Sequence, residues 1–259
     1  MRRLFPDNTF VAPKMPSGRD LNRLVIAEAP GEQESIEGEP LVGGAGKVAF
    51  RLYSSVGINM NGLTKANCIQ CRPPDNVFPT DPGARKYISK EEGNAAVNQC
   101  LRNHVSPLLN SRVWKRVDLL GDKPLRLVAA QSGGIFRYRG SPLSIPRRDN
   151  PPVPGLATLH PAYLMRDQVY LPVAANDLAK SLDVPEEHYN PFPSLEDVQA
   201  FTATTFALDI EITRYRELGQ YAPVDLIGFS DRANHAICVP VRGHYIPEIK
   251  RILGNAKIV

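Results

Sequence analysis

The run Val25-Ile26-Ala27-Glu28-Ala29-Pro30-Gly31-Glu32-Gln33-Glu34 constrains this chain more than any other segment. Its apolar, β-branched start reads as a buried strand, and it stops abruptly at a carboxylate, a proline and a glycine. Open α/β sheets hold their ligands beyond the carboxyl ends of such strands. Glu28 and its neighbours therefore stand where a ligand would be held.

The surrounding pattern alternates between strand and helix. Residues 1–20 read as an irregular, proline-punctuated arm leading into the strand near 24–28. Gly43-Gly44-Ala45-Gly46 opens a segment with Ala45, Val48, Ala49, Leu52 and Val56 on one helical face, closed by Gly57. It is not a phosphate-binding P-loop, because Leu41 and Val48 replace the required first glycine and the Ser/Thr. A second strand is predicted just before Asn67, then a polar loop over 72–92 and a helical segment over 91–109. Further β-like runs lie at 126–130 and 155–159, separated by a basic, Gly- and Pro-rich stretch at 134–154. Asp177-Leu178-Ala179-Lys180-Ser181-Leu182 sits in a last amphipathic helix. This alternation predicts a three-layer α/β domain over residues 1–184.

Residues 185–200 read as a linker within a Pro- and Glu-rich break, although Ser194-Leu195-Glu196-Asp197 has the form of a capping box. From 201 the pattern changes. Thr205-Phe206-Ala207-Leu208-Asp209-Ile210-Glu211 reads as a strand carrying acids, followed by strands at 225–230 and 235–241 and a helix at 247–253. The apolar run at the end reads as an incomplete second domain over 201–259.

Charge is divided unevenly. Residues 1–184 hold 24 basic against 17 acidic residues, net +7, and the remainder 7 against 10, net −3. Residues 101–170 alone hold 11 basic and 4 acidic residues, a local excess suited to nucleic acid. No apolar run reaches membrane-spanning length and no signal-peptide core opens the chain, so the expected location is cytoplasmic (the host cytoplasm if phage-encoded), with no membrane partner. The cysteines are Cys68, Cys71, Cys100 and Cys238. The C-x-x-C pair with Cys100 could belong to a metal site, but four ligands are normally needed and Cys238 falls in the later segment, so structural thiols are expected.

Three ordered segments, Ala27–Glu34, Asn67–Asn76 and His160–Arg166, resemble the motifs of the uracil-DNA glycosylase superfamily, most closely its family-four branch. Gly38-Glu39-Pro40-Leu41-Val42-Gly43-Gly44-Ala45-Gly46 and Arg139-Gly140-Ser141-Pro142 support the resemblance, which covers about residues 20–182. It implies a three-layer α/β/α domain with a central, mostly parallel sheet. The activity it implies is hydrolysis of the N-glycosidic bond of deoxyuridine in single- or double-stranded DNA.

By the same resemblance Glu28 and Glu34 would orient the attacking water and stabilise the cationic sugar, and His160 would donate to the departing base. Ala29, Pro30, Gly31, Leu41 and Asn67 would line the uracil pocket. The Asn67 amide offers a donor and an acceptor complementary to one edge of uracil and opposite in polarity to cytosine. Leu164, Met165 and Arg166 would act as wedge and phosphate anchor, and Arg139 and Arg147 would follow the DNA backbone. The family carries Phe where Leu41 stands, so the stacking face is lost. It also binds a [4Fe–4S] cluster through two N-terminal and two later cysteines. Cys71 and Cys100 correspond to the later pair, but no cysteine precedes Cys68, so no cluster and no other cofactor is expected.

The second segment resembles the start of a 3′–5′ exonuclease domain of a Pol I-type DNA polymerase, a truncated RNase H-like α/β segment. Asp209 and Glu211 would be its first metal-binding acids, needing a divalent metal only in a complete domain. The whole would then be a glycosylase ahead of a phage-type polymerase, fused or associated, without exonuclease activity in this chain. The alternative is a non-catalytic module that senses uracil or binds DNA for such a polymerase.

Overall fold

The structure, a computed structural model, describes residues 9–148, 150–180, 182, 188–212, 223–232 and 234–257. The first eight residues of the expected arm, Ser181 of the expected last helix, and residues 183–187 of the Pro- and Glu-rich break lie outside the described residues. The chain forms two compact units, Met1–Leu182 and Asp183–Val259.

The first unit runs β1 (Arg23–Ala27), α1 (Glu32–Glu37), α2 (Gly44–Ser55), β2 (Thr64–Asn67), α3 (Lys90–Cys100), α4 (Ser106–Asn110), β3 (Arg116–Leu120), α5 (Asp122–Val128), α6 (Ile135–Tyr138), β4 (Pro142–Ile145), β5 (Val153–Thr158), α7 (Pro161–Arg166) and α8 (Leu171–Ala179). A π-helical turn, Leu101–Val105, joins α3 to α4. The strands form one sheet in the order β2-β1-β3-β5-β4, parallel except at the β4–β5 edge. Alternate side chains of a strand face opposite ways, and β1 is apolar on both sides. Leu24 and Ile26 enter one core cluster with Val97, Cys100, Leu109 and Leu125 of the α3–α5 side. Val25 and Ala27 enter the other with Ala49, Leu52, Leu164 and Leu178 of α2, α7 and α8. Helices over both faces make the expected three layers.

Two strands, β3 and β4, and the segment 126–130 differ from the sequence reading. Residues 126–130, read as β, continue and close α5; the strand is β3, immediately upstream. Arg116 and Asp118 interrupt the apolar run of β3 and hid it. Both are nonetheless buried, because they pair. Asp118 is fully buried and accepts from Arg23 Nε at 2.5 Å, Arg116 Nε at 2.6 Å and the Tyr53 hydroxyl at 2.8 Å. The expected basic stretch likewise contains an edge strand, β4.

The second unit has a sheet in the order β6-β9-β8-β7, built from β6 (His188–Asn190), β7 (Ala207–Glu211), β8 (Leu226–Arg232) and β9 (His235–Pro240). The β7–β8–β9 meander and the closing helix α10 (Ile246–Gly254) follow the sequence reading. Residues 188–200 are not a linker. They supply β6 and α9 (Leu195–Ala200), whose Val198 is fully buried among Phe201, Phe229 and Ile252. The capping box on Ser194 and Asp197 starts α9, and the Tyr245 hydroxyl donates to the Pro193 carbonyl at 2.8 Å.

Removing one partner from a buried ion cluster strands the others in an apolar medium. Asp118→Ala, which leaves Arg23 and Arg116 unpaired, is expected to destabilise the first unit by about 3–5 kcal/mol in urea denaturation. Tyr53→Phe, which removes one neutral donor to the charged carboxylate, should cost about 1.5–3 kcal/mol.

Candidate active site

The parallel strands β1, β2, β3 and β5 all end on one side of the sheet, so their carboxyl-terminal residues converge. Glu28 follows β1, Asn67 ends β2, Gly121 to Lys123 follow β3, and His160 lies two residues past β5. A cavity of about 500 Å³ opens there. Its walls bring together Glu28, Ala29, Pro30, Gly31, Glu34, Leu41, Asn67, His160 and Arg166, all named from the sequence. Ala27, Ala45, Pro73, Asn76, Ala162 and Tyr163 complete the lining.

Glu28 is half-buried at the strand end, and loss of solvent raises its carboxyl pKa above the ordinary value. The Lys123 charge opposes that rise, and the charges of Asp81 and Asp122 add to it. Its proton affinity is thus moved toward that of a base able to work near neutrality.

Glu34 is placed differently from its expected role. Its Oε1 accepts from Gly43 N at 3.0 Å and its Oε2 from Gly31 N at 3.1 Å, so the buried carboxylate ties the two ends of one loop together. A Cβ at residue 31 would sit 2.7 Å from Oε2, and one at residue 43 would sit 3.1 Å from Oε1, which is why both positions are glycine. Each oxygen is engaged by a backbone N–H group, while Glu34 still lines the cavity.

His160 caps α7, its Nδ1 accepting from Ala162 N at 3.2 Å. An acceptor Nδ1 leaves the ring proton on Nε2. Burial, reinforced by the Arg166 charge, lowers the pKa of His160 to about 4, so the ring is a neutral Nε2–H donor at physiological pH. Gly121 permits its approach: with φ of +94° it adopts a conformation disfavoured for other residues, and a Cβ there would lie 2.9 Å from the His160 Cβ.

Asn67 is 2% exposed, and its Nδ2 has no hydrogen-bond partner among the described residues. A buried, unsatisfied amide donor is costly, and here it belongs to a residue lining the cavity. Leu41 lines the same cavity from a left-handed backbone (φ +61°), strained for a non-glycine residue. Gly46 allows this, since a Cβ on it would fall 2.1 Å from the Leu41 carbonyl oxygen.

The expected DNA-contacting side chains separate. Met165 is 47% exposed beside Gly44, whereas Leu164 is fully buried in the core and cannot be a wedge, because α7 turns it inward. Arg139 is not directed to phosphate: its Nε donates at 3.0 Å to the buried Asp177, which also accepts from the Thr158 hydroxyl at 2.9 Å. Arg147 donates to the carbonyls of Pro151 and Arg112 and so fastens its own loop. Asp209 and Glu211 lie in the second unit, exposed at alternate positions of β7. Two residues at the site carry no clear sign in the sequence: Lys123, a lone lysine outside any motif, and Tyr163, which lies inside the His160–Arg166 segment but matches no expected role.

Cys71 and Cys100, the two cysteines that the resemblance matches to cluster ligands, both lie in the first unit. Cys71 and Cys100 are buried in an apolar cluster with Cys68, whose thiol burial pushes far above its ordinary pKa. Phe10 pairs antiparallel with Cys71, Val11 N donates to the Gln70 carbonyl at 2.7 Å, and the Phe10 ring lies 5.1 Å from that of His104. Among the described residues no group of three or more His, Cys, Asp or Glu side chains is arranged to hold a metal ion.

Residues 15–179 match the model of the uracil DNA glycosylase superfamily. A type-4 uracil-DNA glycosylase of Thermotoga maritima is 29% identical over 150 residues, 58% of this chain and 69% of the relative. One from Archaeoglobus fulgidus is 39% identical over 63 residues, 24% of this chain, and one from Saccharolobus solfataricus 44% identical over 59 residues, 22% of this chain. The matched stretches span only 32% and 27% of those two relatives. No helix among the described residues is long and apolar enough to cross a membrane. With more than half of its length covered by the family model and the motif residues Glu28, Asn67 and His160 gathered around one cavity, the chain belongs to the uracil DNA glycosylase superfamily.

Proposed function

We propose that the first unit is a uracil-DNA glycosylase that hydrolyses the bond between uracil and deoxyribose and leaves an abasic site. The observation that carries this reading is the buried, unpartnered Asn67 Nδ2, in the same cavity as a raised-pKa carboxylate and a neutral imidazole. The base must be extruded, because its reactive bond is hidden in a duplex. Asn67 then donates to a uracil carbonyl oxygen. Cytosine offers an amino group at that edge and would leave the donor unpaired, which supports rejection of cytosine.

As the C1′–N1 bond breaks, its electron pair passes to the base and positive charge gathers on the sugar. His160 Nε2–H donates to the carbonyl oxygen where the negative charge develops. Glu28 accepts a proton from the water whose oxygen bonds to C1′. A neutral imidazole suffices, because no proton need be transferred to the base within the step.

The same reading takes the second unit as the start of a 3′–5′ exonuclease-like fold of a phage-type polymerase. The antiparallel β7–β9 meander with Asp209 and Glu211 on β7 supports it. The rival, a module that senses uracil without cleaving it, draws on Leu41 standing where an aromatic face would stack the base.

Uracil release from a single-uracil oligonucleotide, read on a gel after alkali, separates the two. Release with Glu28→Gln reduced about 10²- to 10⁴-fold supports the enzyme; tight binding with no release in the unaltered protein supports the sensor. The pH profile supplies a second measurement. The water-activating carboxylate must be ionised, so kcat/KM should fall as pH drops through the raised pKa of Glu28. Lys123→Met removes the opposing charge and should move that acid limb to higher pH. We further propose that the packed arm takes the place of a cluster. The purified protein should then be colourless, with no absorbance in the visible and no stoichiometric iron.

A further inference from the structure

Beside the cavity lies a cluster of aromatic rings that the proposed chemistry does not use. Phe136 of α6, Tyr163 of α7 and Tyr170 meet pairwise, with ring centroids 6.0 Å (Phe136–Tyr163), 5.6 Å (Phe136–Tyr170) and 5.7 Å (Tyr163–Tyr170) apart. Their planes are inclined by 48° to 79°, so no two rings cover one another face to face. Phe136 is 56% exposed, an expensive place for a phenyl ring with no other purpose. The chain is bent to put it there: Gly133 (φ +114°) and Gly134 (φ +85°) adopt conformations that only glycine holds easily, and α6 begins directly after them.

Tyr163 joins this cluster to the cavity, since it also lines the wall with His160 and Arg166. Its hydroxyl donates to Asp167 at 3.4 Å, which holds the ring in place and engages the one carboxylate nearby in sequence. Exposed Arg137 and Arg166 are part of the same two helices and suit a phosphate backbone. Flat, half-exposed rings flanked by arginine form the recurring means of binding unpaired nucleobases.

We propose that Phe136, Tyr163 and Tyr170 form a stacking platform for bases adjoining the extruded nucleotide, and so favour single-stranded or locally opened DNA. This rests on the glycosylase reading for the position of the strand, but its test does not depend on cleavage. The dissociation constant of the full chain is measured by fluorescence anisotropy for two single-stranded oligonucleotides. One carries normal bases on both sides of a single uracil, and the other carries abasic sugars in their place.

The unaltered protein should bind the abasic-flanked strand about 5- to 100-fold more weakly. Phe136→Ala with Tyr170→Ala should lose a similar factor on the normal strand and little more on the abasic-flanked one. Phe136→Trp, which keeps a flat face, should retain binding. Equal losses on both strands, or a double variant that binds the normal strand as before, would overturn the platform. The latter result would point instead to a protein partner for the rings. Uracil release assayed in parallel tells failure of the platform from failure of the glycosylase: a protein that discriminates the two strands but releases no base upholds the first and not the second.

Discussion

Parallel pairing of β1 with both β2 and β3 is the constraint on which the rest of the first unit depends. Parallel strands must all be re-entered from the same end, so their carboxyl ends share one edge of the sheet. Glu28, Asn67 and His160, 132 residues apart at their extremes in the sequence, meet there only because of that shared direction. A register shift of one residue would turn Asn67 to the opposite face. Ala27 opposite Asn67 is therefore as much part of the site as the groups that line it.

Burial then does different work on chemically similar groups. Glu28 and Glu34 both follow β1 closely, yet Glu34, on α1, accepts from two backbone N–H groups while Glu28 is left with a raised proton affinity. His160 is driven the other way, to a neutral donor, by the same loss of solvent. One apolar setting thus raises the proton affinity of a carboxylate and lowers that of an imidazole.

Much of this was legible in the sequence because motif and geometry coincide at strand ends. Glu28 and His160 each follow an apolar run, and Asn67 opens the cysteine- and proline-bearing motif that marks its strand end. What was not legible was commitment. Leu164, Arg139 and Arg147 have the right residue types for DNA contact, but a helix phase buries the first, and the buried Asp177 and two carbonyls take the others. Local sequence carries no sign of a partner 38 residues away. The missed strand β3 teaches the same point: Arg116 and Asp118 looked like solvent residues, and only Arg23 and Tyr53, distant in the chain, make them interior ones.

The ion cluster on Asp118 is centred level with Val25, roughly 10 Å along the strand from the glutamate beyond Ala27. Groups so separated and sharing no partner contribute nearly independently to folding. Each strand therefore has a hinge-free root and a working tip, and variation at the tip need not loosen the root. A lineage could exchange Leu41 for another cavity wall, or retune the charge around Glu28, while the scaffold that presents them keeps its melting point.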